Sequence, residues 1–149
     1  RGSPVTCLSF DNTYKKGRLA SGGSDSSVVV WDLLAETGLF RLLGHTKGPI
    51  THLSFLFLDS SFDGLVSLST DGLVKLWDLN GQCCTQTLTN NGSEVWSADT
   101  IAIHDAEDTK KTDKTSSTRW RLVTGASDVQ LRVWALRPPP RTSTNSKEL

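Results

Sequence analysis

The sequence predicts an all-β fold: three antiparallel four-stranded units, the last lacking its outer strand. Three observations predict it. A Ser or Thr, an Asp four residues on and a Trp six residues further recur together three times. The short stretches around them are β-branched and bounded by Gly, Ser and Asp, the residues of tight turns. No segment carries apolar residues at helical spacing between capping residues.

The first unit opens with the apolar stretch Val5–Phe10. Arg18-Leu-Ala-Ser-Gly-Gly-Ser-Asp25 follows, then Val28-Val-Val-Trp31-Asp32-Leu33, then Leu39–Leu43. The second unit repeats this order with Ile50–Phe57, Gly64-Leu-Val-Ser-Leu-Ser-Thr-Asp71, Val74-Lys-Leu-Trp77-Asp78-Leu79 and Cys83–Leu88. The third has Val95–Ile103, Arg121-Leu-Val-Thr-Gly-Ala-Ser-Asp128 and Leu131-Arg-Val-Trp134-Ala135-Leu136. Eleven strands follow from this reading, in units of about 1–43, 44–88 and 89–136.

Trp31 and Trp77 lie 46 residues apart. That is close to the roughly 40–45 residues of a four-stranded propeller blade. Trp77 and Trp134 lie 57 apart, and residues 104–119 account for the excess. This stretch has no large apolar side chain and alternates charge signs, so ordering it recovers little burial. It is expected to be a mobile loop between two strands. Pro138-Pro139-Pro140 ends regular structure, since consecutive prolines have no amide to donate. Residues 137–149 form an expected disordered tail.

Composition narrows the function. The chain has 149 residues, 16 Lys+Arg against 16 Asp+Glu, and three Cys. A formal charge of zero is not the basic excess of a bulk nucleic-acid binder. An odd number of cysteines builds no closed disulfide framework and fits a reducing compartment. No apolar run is long enough to span a membrane. The start, Arg1-Gly2-Ser3-Pro4, has no signal-peptide core and no initiator Met, as expected of a piece of something longer.

Trp-Asp at a strand end, Gly44-His45 about thirty residues upstream and Asp six residues before the Trp resemble the WD-repeat (WD40) family over roughly residues 1–136. The resemblance implies a partial, open β-propeller. It also implies a buried His–Ser/Thr–Asp–Trp hydrogen-bond set in each blade. The second unit holds the full set: His45, Ser67, Asp71 and Trp77. The first holds Ser21, Asp25 and Trp31, and begins too late for its His. The third holds Thr124, Asp128 and Trp134, with Asn90 at the His position and Ala135 in place of Asp. A weaker network is expected there. Carried over by position, the family's upper face and channel mouth fall on Ser24, Pro49, Thr51, Thr70, Glu94, Trp96 and Ser127. Trp96 stands out, because tryptophan is enriched at interface hot spots.

Sharper chemical readings lose to the repeat. His45, Ser67 and Asp71 are residue types of a catalytic triad. Yet Ser/Asp/Trp recurs in two more copies, one without its His, which is scaffolding rather than a catalytic unit. Cys83 and Cys84 are adjacent in a strand and point to opposite faces; no His or Cys sits at a zinc-like spacing. Cys7 is expected in the core. Gly22-Gly23-Ser24 lacks the lysine and following helix of a phosphate loop. Lys110, Lys111, Lys114, Arg119 and Arg121 are nearly cancelled by Asp105, Glu107, Asp108 and Asp113. No catalytic residue, metal site, cofactor or small-molecule substrate is expected.

The expected function is a non-catalytic scaffold that presents loops and strand edges to several protein partners. Glu36-Thr-Gly-Leu-Phe-Arg-Leu42, Glu94-Val-Trp96 and the stretch from Val123 to Trp134 resemble the large tandem-propeller members of the family found in the small-subunit processome. That resemblance implies the nucleolus, ribosome biogenesis, other subunits of a large assembly, and indirect contact with small nucleolar and pre-ribosomal RNA. The alternative is a substrate adaptor of a cullin-type ubiquitin ligase. Family members of that kind carry Arg two residues after Trp-Asp; here Arg137 follows Trp134-Ala135-Leu136 without the Asp. Three blades leave two open edges, so this piece alone is expected to be marginal or oligomeric.

Overall fold

A computed structural model describes residues 2–12, 17–58, 62–104 and 118–137. Eleven strands are present among them: β1 (Val5–Phe10), β2 (Arg18–Gly23), β3 (Val28–Asp32), β4 (Thr37–Leu42), β5 (Ile50–Leu58), β6 (Phe62–Ser69), β7 (Leu73–Asp78), β8 (Cys83–Thr89), β9 (Val95–His104), β10 (Thr118–Ala126) and β11 (Leu131–Leu136). They form three antiparallel sheets: β1-β2-β3-β4, β5-β6-β7-β8 and β9-β10-β11. Each sheet is an up-and-down meander, and the third has three strands among the described residues. This is the partial propeller the repeat predicts.

The alternation along each strand divides two faces. Ala20, Val28, Val30 and Leu42 of the first sheet pack on Ile50, Leu53, Leu65 and Trp77 of the second, with Cys7 and Phe55 at the margin. Val66, Leu68, Val74 and Leu76 turn the other way and pack on Val95, Leu122 and Leu136 of the third sheet. The second sheet is therefore covered on both sides, and every described residue of β6 is buried. Each outer sheet is covered on one side.

Inner strands set the spacing between blades. The Thr6 hydroxyl donates to the Ile50 carbonyl at 2.5 Å, and Thr51 donates to the Val95 carbonyl at 2.5 Å. Gly22 permits this approach: a Cβ there would lie 2.7 Å from Ile50 and from the Cys7 sulfur.

The turn after each Asp is also repeated. Ser26, Gly72 and Val129 follow Asp25, Asp71 and Asp128, and all three have left-handed φ, 66°, 79° and 56°. The three carboxylates accept from the amides of Ser27, Leu73 and Gln130, two residues on. A short acceptor side chain and a left-handed residue are the local chemistry of this turn.

Two sequence boundaries shift. The expected loop 104–119 is shorter, because β9 runs to His104 and β10 starts at Thr118, with Arg119 paired to Ile103. Backbone pairing carries the ladder into the polar stretch where side-chain hydrophobicity no longer marks it. The remainder of that loop and the tail after Arg137 lie outside the described residues.

Candidate interaction surface

The second blade assembles its four polar residues around one hydroxyl. Ser67 Oγ accepts from Trp77 Nε1 at 2.8 Å and sits 2.8 Å from His45 Nε2. His45 Nδ1 lies 3.0 Å from Asp71 Oδ2. Asp71 also accepts from the Thr46 amide at 2.9 Å, which fixes the segment delivering His45. Burial pushes the His45 imidazole below its usual value; the Asp71 carboxylate opposes this without overcoming it. The ring is thus neutral at pH 7, and Nδ1–H donates to Asp71 while Nε2 accepts from the Ser67 hydroxyl. Every polar atom of the set has a partner, as burial requires.

These are the contacts of a hydrolytic triad, but the surroundings are wrong for one. Ser67 is fully buried, and its hydroxyl is held by an indole and an imidazole. A nucleophile must reach an acyl carbon, and no substrate reaches this oxygen.

The flanking blades keep the indole bond and replace the imidazole. Trp31 Nε1 donates to Ser21 Oγ at 2.8 Å, and Trp134 Nε1 to Thr124 Oγ1 at 2.9 Å. In the first blade Asp25 is met by Arg41 and by the Ser27 hydroxyl at 2.6 Å. The Ser27 hydroxyl, with Arg41 beside it, holds Asp25 below the usual carboxylate range. In the third, Arg132 donates to Asp128 at 2.6 Å and depresses it in the same sense. So an arginine from β4 or β11 takes the carboxylate where no His is present. The sequence marks neither arginine, since each belongs to a different strand position. Asn90 is fully buried, and its amide donates to the Ser93 carbonyl at 3.1 Å rather than to Asp128.

Exposure separates the three tryptophans. Trp77, between two sheets, is 2% exposed, whereas Trp31, on the open side of the first sheet, is 38% exposed. Beside Trp31 lies a cavity of about 160 Å³ lined by Ser21, Asp25, Val29, Trp31 and Arg41. In the second blade His45 contacts the equivalent Ser67 and Asp71.

The residues assigned to the upper face pair off, blade by blade, through backbone bonds. The Ser24 amide donates to the Pro4 carbonyl at 2.9 Å, Thr70 to Pro49 at 3.2 Å and Ser127 to Glu94 at 3.0 Å. Each bond joins the turn before a β2-type strand's Asp to the start of an inner strand, so all lie along one rim. The Thr51 hydroxyl donates to the Val95 carbonyl at 2.5 Å, a contact within the fold. Trp96 occupies the register position of Thr6 and Thr51 on the third inner strand. Its ring is exposed, as are Glu94 and Ser127.

A polar cluster outside the repeat lies at the opposite end. Arg18, buried on β2, donates to Asp11 at 2.7 Å and to both oxygens of Asp63 on β6 at 2.7 and 2.8 Å. Its guanidinium sits 5.4 Å from the Phe55 ring centre. Asp11 and Asp63 fall outside the Ser/Asp/Trp repeat, so spacing does not find them.

Among the described residues no group of three or more His, Cys, Asp or Glu side chains is placed to hold a metal ion. Cys83 and Cys84 are exposed free thiols, and Cys7 is a half-buried one whose thiol burial pushes up.

Fold and site define a WD-repeat propeller segment. The WD domain, G-beta repeat family matches residues 1–32 and 37–78, and the chain belongs to it. Its relatives include cell division control protein 4 of Saccharomyces cerevisiae, 32% identical over 66% of this chain and 12% of that protein. Mitochondrial division protein 1 of Kluyveromyces lactis is 29% identical over 94% of the chain and 18% of its own length. Transducin beta-like protein 3 of Rattus norvegicus is 32% identical over 64% and 11%. The chain thus spans less than a fifth of each of these three proteins. Among solved structures, the Cps50 (Swd1) β-propeller domain of Myceliophteria thermophila superposes with a TM-score of 0.59 at 27% identity, covering 98% of this chain and 42% of that one.

Proposed function

We propose that this segment is a non-catalytic scaffold in assembly of the small ribosomal subunit, within the nucleolar small-subunit processome. The exposed rim carries the reading. Glu94, Trp96 and Ser127 lie together on the third blade, facing solvent, with the Ser127 amide bonded to the Glu94 carbonyl at 3.0 Å. An exposed indole ringed by polar groups is what protein recognition uses. The buried Ser67 hydroxyl supports the absence of catalysis. The Glu36–Leu42 and Glu94-Val95-Trp96 segments support the processome branch, because generic blades do not require them. Near-zero charge supports attachment through protein contacts, with pre-ribosomal RNA held by neighbours.

The full-length protein carrying Glu94→Ala and Trp96→Ala tests the surface. It loses at least one of the subunits that co-purify with the wild type, while its stability is unchanged. An unaltered partner set overturns the surface. A wild-type protein absent from nucleoli and from pre-ribosomal RNA overturns the ribosomal assignment.

A further inference from the structure

The second and third blades use one polar site in two ways. In the second, the Ser67 hydroxyl accepts from Trp77 and gives its own proton to His45 Nε2. In the third, Thr124 Oγ1 accepts from Trp134 in the same way, but no described group accepts its proton. Asn90 stands five residues before Val95 as His45 stands five before Ile50, and it carries no ring. We infer that one buried water molecule takes the place of the imidazole in the third blade and joins Asn90, Thr124 and Arg132.

Unpaired atoms mark the place. Among the described residues, three buried side-chain atoms have no hydrogen-bond partner: Asn90 Oδ1, Arg132 Nη1 and Trp120 Nε1. Trp120 lies four residues before Thr124, toward the other end of β10. Asn90 and Arg132 belong to the Thr124 site. Arg132 pairs directly across from Thr124, so the two share a face of the sheet. Asn90 sits at the same junction, where its backbone amide donates to the Gly72 carbonyl of the second blade at 2.8 Å. Leu122, on the Thr124 face of β10, packs with Val66 and Leu76 of the second sheet. Two consecutive blades of this chain thus enclose the site.

The surrounding groups are fixed by other bonds. Asn90 Nδ2 donates to the Ser93 carbonyl at 3.1 Å, which orients the carboxamide and leaves Oδ1 as an acceptor. Arg132 Nη2 donates to Asp128 at 2.6 Å and to Gln130 at 2.9 Å, which leaves Nη1 as a donor. Asp128 is met by Arg132, the Gln130 amide and the Ser93 hydroxyl. Two donors remain, the Thr124 hydroxyl and Arg132 Nη1, with one acceptor, Asn90 Oδ1. A water molecule matches this set: its oxygen accepts from both donors, and one of its hydrogens goes to Asn90. Internal waters make about three hydrogen bonds of this kind. Asn90 and Thr124 are 0% and 1% exposed, so leaving these groups dry would carry their full desolvation penalty.

A crystal structure of the protein, at a resolution that shows ordered water, tests this. One water is expected within about 3.2 Å of both Asn90 Oδ1 and Thr124 Oγ1. A direct Asn90–Thr124 hydrogen bond, or no water between them, overturns the proposal. Asn90→His supplies the side chain of the second blade. Its imidazole is expected to bond Thr124 and expel the water, and the thermal midpoint to rise by roughly 2–4 °C. A water that stays beside the new ring, or a midpoint that is unchanged or lower, also overturns it, since the water then does not hold the imidazole position. The wild-type structure decides the matter even where the variant does not fold.

Discussion

Arg18 on the first blade and Asp63 on the second form a bidentate ion pair, with nitrogen–oxygen distances of 2.8 and 2.7 Å. It is the direct polar clasp between their outward ends, as the Thr6–Ile50 bond is between their inner strands. Planar guanidinium and carboxylate match in geometry, which fixes how the two sheets meet. Arg18→Met removes the guanidinium from between two buried carboxylates. The expected loss is about 3–5 kcal/mol, read as a fall in the urea midpoint. Arg18→Lys keeps the charge and loses the fork, and is expected to fall between the wild type and Arg18→Met.

The three hydroxyl–indole bonds are alike in length and unlike in burial. Ser67→Ala strands both the Trp77 N–H and a His45 nitrogen away from water, costing about 1–3 kcal/mol for each group. Ser21→Ala costs less, because water reaches the half-open Trp31. Denaturation of both variants checks the order; an equal loss contradicts it.

His45 sets a pH dependence. Its folded pKa lies below the unfolded value, 6.5, chiefly because burial disfavours the charged ring. The unfolded chain therefore binds the proton first, and stability falls as pH drops below about 6.5, down to the folded value. His52, lowered by burial in the same way, adds to the slope. Asp25 and Asp128 are depressed from 3.8 and act only below that range. Urea midpoints at pH 7.5 and pH 5.5 measure this; His45→Gln with His52→Asn is expected to flatten the difference.

Val129 holds a left-handed backbone, φ 56°, where the second blade has Gly72. A β-branched residue is strained there. Val129 is almost fully exposed, so its side chain contributes little packing. Val129→Gly is expected to raise stability by up to about 1 kcal/mol, net of the freedom Gly adds to the unfolded chain. Thermal denaturation reads the sign.

Thr51 and Trp96 occupy equivalent positions and do different things. Thr51→Val removes the bond to the Val95 carbonyl and is expected to cost about 1 kcal/mol. Trp96→Ala is expected to stay within about 0.5 kcal/mol, as exposed positions do. Chemical denaturation of the pair separates a structural position from a recognition one.

The repeat was legible because blades reuse one local chemistry. Ser21, Ser67 and Thr124 each sit ten residues before their tryptophan, and β-branched runs between turn residues mark the strands around them. Alternation fixes faces, so the sequence by itself determined the all-β class and the three sheets. Tertiary structure decided what meets across the sheets. Which cation neutralises Asp25 or Asp128, and that Arg18 joins Asp11 to Asp63, depend on pairs whose spacing follows no period: 16 residues for Asp25 and Arg41, 4 for Asp128 and Arg132, 45 for Arg18 and Asp63. It also decided that Thr51 reaches the Val95 carbonyl of the next inner strand while the Trp96 ring is exposed among the described residues.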